Sequence, residues 1–141
     1  MRSRFVRPET RRLELTDGDW ITVKARLTAG EKRAMFARMY TADGTGQHVV
    51  NLEAVWFVRL AAYLVDWSLP EFPIRGVARE AVESALRNLE DDDLVELTAA
   101  LEAHEAREAE AFAALKKTST GAPASSRTSP SLAAVGGGTN G

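Results

Sequence analysis

The chain has 141 residues, a formal net charge of −2 and no cysteine. That length holds one domain with a modest core, the near-neutral charge argues against a general nucleic-acid binder, and the missing cysteines exclude disulfides, thiolate metal sites and cysteine nucleophiles. The charge is unevenly laid out: residues 1–38 hold ten Lys/Arg against five Asp/Glu, and the remainder eight against fifteen. Such asymmetry allows head-to-tail contacts or two partners of different character, and plain surface patterning explains it equally well.

Residues 1–10, MRSRFVRPET, read as a basic extended arm. The charged start lacks a long apolar run, so no signal peptide is expected. Arg2, Arg4, Arg7, Arg11 and Arg12, with Phe5 between them, suit phosphate contact; a solvated or partner-docking arm is the preferred reading. Leu13 and Leu15 then alternate with Arg12 and Glu14, and Ile21, Val23, Ala25 and Leu27 alternate with Thr22, Lys24 and Arg26. Period-two alternation around Thr16-Asp17-Gly18-Asp19 predicts a β-hairpin from about Arg11 to Arg26. Thr28-Ala29-Gly30-Glu31 has capping-box spacing and predicts a helix running through Tyr40.

Thr41–Gln47 reads as a glycine-rich connector, with too few glycines and no Lys-Ser/Thr for a phosphate loop. A second, most buried helix is predicted over about Val50–Trp67. Leu52, Val55, Trp56, Leu60, Tyr63, Leu64 and Trp67 recur there at three- and four-residue steps. The same apolar run contains Asn51, Glu53 and Arg59, too many polar groups for a membrane span. Pro70 and Pro73 break the chain, and a third helix fits about Val77–Leu89. Asp93, with Glu96 three residues on, suits the cap of a fourth helix over about Leu94–Lys117. The second half of that helix is rich in Ala and Glu, has little to bury and should project from the core. From Thr118 to Gly141 small residues, Pro and Gly dominate, and the composition predicts disorder.

No catalytic constellation emerges. His104-Glu105-Ala106-Arg107-Glu108 lacks the second histidine of a zinc-protease helix, so His104 reads as solvated and no metal or cofactor is expected. Glu90-Asp91-Asp92-Asp93 lacks the alternating ligands and glycine of a calcium loop, and helix capping explains it more simply. Trp56 and Trp67 read as core. Trp20, opposite Ile21 and Val23 on its strand, reads as packing onto Tyr40 or the first helix, or as a partner contact. Phe112 and Leu115 on the projecting helix read as docking residues for another chain, with a back-contact to the core or a dimer as the rival. Trp20, Leu101, Phe112 and Leu115 are the candidate partner-binding residues.

The layout resembles tail assembly chaperones of long-tailed, siphovirus-type bacteriophages and prophages of actinobacterial type. The resemblance rests on RFVRPETRRLELTDGDWITVKARLTAGEKRAMFARMY at 4–40, on AAYLVDWSL at 61–69, and on the acidic helix ending at Lys116-Lys117 before a Gly/Ser/Pro tail. It covers essentially the whole chain as an overall pattern, without a catalytic motif. It implies a binding protein of the host cytoplasm, absent from the finished virion. Such a protein holds the tape measure protein soluble and helps recruit tail tube subunits. It also implies a longer frameshifted form, with the junction beyond Lys117. The expectation is therefore an α+β protein, mostly helical and not an enzyme. Its partners would be the tape measure and tail tube proteins, with a homo-oligomer possible and no nucleic acid, membrane or small-molecule substrate. The alternative is a structural head–tail connector or minor tail protein retained in the particle.

Overall fold

A computed structural model describes residues 3–120, with side chains placed to Lys116. The fold is α+β. Its elements are β1 (Thr10–Glu14), a 3-10 turn (Thr16–Gly18), β2 (Trp20–Lys24), α1 (Ala29–Met39), β3 (Tyr40–Ala42), β4 (His48–Val50), α2 (Val55–Tyr63), β5 (Leu64–Trp67), α3 (Arg79–Leu86) and α4 (Asp91–Thr120).

The expected first hairpin is present. Antiparallel pairing runs from Thr10 opposite Lys24 to Glu14 opposite Trp20. The connection places Asp17 at φ 59° and Gly18 at φ 79°, a left-handed pair that glycine and aspartate tolerate best. Leu15 N donates to Asp19 O at 2.8 Å and closes the loop. The ladder continues past the strand end, where Ala25 N donates to Glu9 O at 2.8 Å. One face of β2 buries Ile21 and Val23 completely. The capping box also forms: Thr28 Oγ1 accepts from Glu31 N at 3.1 Å, and Glu31 Oε1 accepts from Thr28 N at 2.9 Å.

The second predicted helix is corrected. Residues 51–54 precede it, leaving Leu52 exposed, and α2 covers only Val55–Tyr63. Leu64–Trp67 leaves the helix and pairs antiparallel with β2, giving the order β1-β2-β5. An apolar run buried on several sides has no period that separates helix from strand; here the free edge of β2 decides. The Arg79 guanidinium donates to Ala61 O and, at 3.0 Å, to Leu64 O, so a side chain from α3 satisfies carbonyls where α2 ends.

The Pro70–Pro73 segment folds back, and Trp67 Nε1 donates to Phe72 O at 2.7 Å. The third helix is shorter than expected, ending at Leu86. The fourth starts three residues earlier than expected, so Asp91, Asp92 and Asp93 form its first turn and complement its dipole. Glu96 does not reach back to an Asp93 cap. It accepts instead from Thr16 N at 2.7 Å and Thr16 Oγ1 at 3.1 Å, tying the hairpin turn to α4. The 30 residues of α4 span roughly 45 Å. Thr118–Thr120 are still helical; the rest of the predicted disordered tail lies outside the described residues, as do Met1 and Arg2.

One core joins the layers. Ile21 and Val23 from the sheet meet Val58 and Leu60 of α2, Val82 and Leu86 of α3, and Leu97 and Leu101 of α4. Among the described residues no helix is long and apolar enough to cross a membrane.

Candidate interaction surfaces

Three surfaces stand out, and they differ in charge and exposure. The first lies where the arm meets the distal part of α4. Arg11 Nε donates to Glu108 Oε2 at 3.2 Å, and the Arg26 guanidinium lies 4.4 Å from the centre of the Phe112 ring, a cation–π distance. The last part of α4 was expected to project freely; these contacts hold it against the hairpin as far as Phe112. Phe5, Val6, Phe112 and Leu115 line an open groove of about 690 Å³ between arm and helix. Phe112 is half-buried in it and Leu115 is exposed.

Two other expected partner residues lie elsewhere. Leu101 is fully buried in the core and cannot touch a partner without unfolding, so its role is packing. Trp20 is half-buried, with the Arg12 guanidinium 4.4 Å from its ring centre and its amide donating to Ser68 Oγ at 3.0 Å. The cover on its outer face is Arg12, while the expected neighbour Tyr40 stands in a second hairpin.

His104 is also corrected: it is buried, not solvated. Its Nε2 lies 3.0 Å from Lys24 O and 3.1 Å from Ala25 O. Carbonyls only accept, so Nε2 carries a proton and donates to both. Tyr63 packs edge-on to the imidazole at 6.1 Å. Burial, reinforced by the charge and hydrogen bond of Glu105, pushes the Tyr63 phenol up to about 12. These groups fasten α4 to the end of β2.

The second surface was not anticipated. Tyr40–Ala42 and His48–Val50 pair antiparallel, Tyr40 opposite Val50, and all six residues are exposed. What reads as a connector is the turn of this hairpin. Asp43 Oδ1 accepts from Thr45 N at 2.7 Å, Thr45 Oγ1 at 2.6 Å and Gln47 N at 3.1 Å, and the Thr45 hydroxyl and backbone donors hold the Asp43 carboxyl below its usual range. Asp43-Gly44 between two β-forming triplets was the available signal. The strands are too short for alternation to register. Tyr40, Val49, Val50 and Leu52, with Phe36 of α1, are large apolar side chains left open to solvent here. Val50 and Phe36 line one shallow groove with Met35, Met39 and Val55.

The third surface is a cleft of about 340 Å³ between the first hairpin's turn and the α3–α4 junction. Leu15, Leu69, Phe72, Leu89 and Leu97 line it, and Asp17, Asp19, Glu71, Glu90, Asp93 and Glu96 surround them. Among the described residues no Lys or Arg lines it, and every ion pair lies elsewhere.

Among the described residues no three His, Asp or Glu side chains are grouped to hold a metal ion. No protein-family model, curated protein or solved structure matches this chain.

Proposed function

We propose that this chain is a tail assembly chaperone of the long-tailed phage type. It binds apolar helical segments of the tape measure protein, keeps that protein soluble in the host cytoplasm and helps recruit tail tube subunits. The observation that carries the reading is the second hairpin with its neighbours. Phe36, Tyr40, Val49, Val50 and Leu52 are exposed within one short region of a chain whose other large aliphatic side chains are mostly buried. Large exposed apolar patches mark interaction sites, and an amphipathic helix needs such a shallow groove with anchors at one-turn spacing. Phe112 and Leu115 add a separate apolar patch on α4. The resemblance at 4–40 and 61–69 names the client.

Co-expression with the tape measure protein of the same genome tests the proposal. The expected result is a soluble client that co-purifies with this chain. A client that stays insoluble beside well-folded partner overturns it. Detection of the chain in purified virions would favour a head–tail connector or minor tail protein instead. Truncation after Lys117 then asks whether residues 118–141 are needed.

A further inference from the structure

Among the described residues no cation sits in the acidic cleft, and the basic arm lies at the other end of β1. Asp17, Glu71, Glu90 and Asp93 make no ion pair among the described residues. Asp19 and Glu96 accept only from neutral donors, the Ser68 hydroxyl and the Thr16 amide and hydroxyl, which leaves their charges uncompensated. Phe72, at the cleft, is about half exposed. A groove with an apolar floor and a carboxylate rim recognises a short segment that presents an aromatic side chain between cations.

The arm has that composition. Arg4 and Arg7 flank Phe5, which is 87 % exposed, and neither arginine takes part in an ion pair among the described residues. In the described structure the arm lines the groove beside Phe112 and Leu115, not the cleft. β1 separates the two by five residues, about 17 Å of strand. The bond from Ala25 N to Glu9 O carries the ladder onward at the end of β1 remote from the turn. A cleft on a second molecule offers the arm the charge match that its own position in the fold does not supply.

We propose that the arm of one copy, through Phe5 with Arg4 and Arg7, docks in the acidic cleft of a second copy. The contact is heterologous: each molecule uses its arm on one neighbour and its cleft on another. Such a contact builds chains or closed rings instead of stopping at an isologous pair. Charge supplies much of the attraction, so association weakens as salt screens the rim. The inference does not rest on the chaperone reading, since it involves only this chain.

Sedimentation velocity of the full chain over a concentration series, at about 50 mM and about 500 mM salt, tests it. The expected result is a mass that grows with concentration at low salt and falls back toward monomer at high salt. Arg4→Glu with Arg7→Glu reverses the arm, and Glu71→Lys with Glu90→Lys reverses the cleft; all four positions are exposed. Each double variant alone should associate about tenfold more weakly or worse, and their equimolar mixture should associate again, because each then offers the other a complementary pair. Phe5→Ala, which leaves every charge in place, should also weaken association. A chain that is monomeric at all concentrations at low salt overturns the proposal, and leaves a basic segment of another protein as the cleft's occupant. Association that survives both reversals also overturns it and moves the contact to another surface. So does association that responds to the arm alone. Unchanged circular dichroism of the variants separates each outcome from misfolding.

Discussion

The molecule contains two β-hairpins built from the same pairing rules and put to opposite uses. In the first, β2 takes a second partner, β5, on its other edge, and Ile21 and Val23 are fully buried beneath helices. In the second, neither strand has a further strand partner among the described residues, all six residues are exposed, and Val49 and Val50 stand in solvent. A two-stranded hairpin is marginal by itself. This one is held by the Asp43 turn and by Asn51 N donating to Met39 O at 2.6 Å. Hydrogen bonding within a hairpin therefore does not decide its role. What decides it is whether the same chain covers the apolar face.

The sharpest break of that comparison is truncation on the buried side. Ile21→Ala should cost about 2–5 kcal/mol, the transfer and cavity cost of a core aliphatic with no room to collapse. Urea unfolding followed by tryptophan fluorescence reads it as a lower midpoint with an unchanged slope. A cost well under 1 kcal/mol would mean that the sheet is not sealed as described.

Tyr63 sits between the two hairpins, lining the groove shared by Val50 and packing on His104. Its folded pKa lies above the usual tyrosine value, at about 12, so the native state holds the phenolic proton more tightly than the unfolded chain. The resulting stability is fully present below pH 10 and is lost as pH rises from about 10 to about 12, a loss on the order of 2 kcal/mol. Thermal melts over that window should fall more steeply for the native chain than for Tyr63→Phe; parallel curves would show that the phenol is solvated. His104→Leu should cost about 1–3 kcal/mol by leaving Lys24 O and Ala25 O without their buried donor. His104→Gln, whose amide can still donate, should recover part of that loss in the same denaturant titration.

The buried hairpin was legible in the sequence, and the exposed one was not. Five-residue strands with Ile21, Val23 and Leu13 facing inward give a period-two signal around an Asp-Gly turn. The triplets Tyr40–Ala42 and His48–Val50 are too short for any period, and their glycine-rich turn dominates the reading. The capping box at Thr28 was legible because its chemistry is local. The switch from α2 to β5 at Leu64 was not, since an apolar run takes strand or helix according to which edge lies open to it, and β2 is some forty residues away in sequence. His104 and Leu101 misled for a related reason. The composition of residues 102–117 marks α4 as a polar helix, whereas one narrow stripe through Leu97, Leu101 and His104 is sealed against β2 and α2. Of the expected partner-binding residues, Phe112 and Leu115 do line an open groove, since an apolar residue isolated in an acidic, Ala-rich helix stays near the surface.

The gentlest substitution tests the exposed side of the comparison. Val49→Thr combined with Leu52→Ser keeps β-branching in the strand and removes apolar surface that nothing in the described chain covers. Its cost to stability should be within about 0.5 kcal/mol, as for surface positions generally. Its effect should appear instead on the partner, as less tape measure protein recovered in the soluble fraction on co-expression. If stability drops by more than about 1 kcal/mol, the second hairpin is itself covered in the folded chain and the contrast between the two hairpins fails. If both stability and client solubility stay unchanged, the proposed client contact moves to the Phe112–Leu115 groove. The same co-expression with Phe112→Ala and Leu115→Ser then reads that directly.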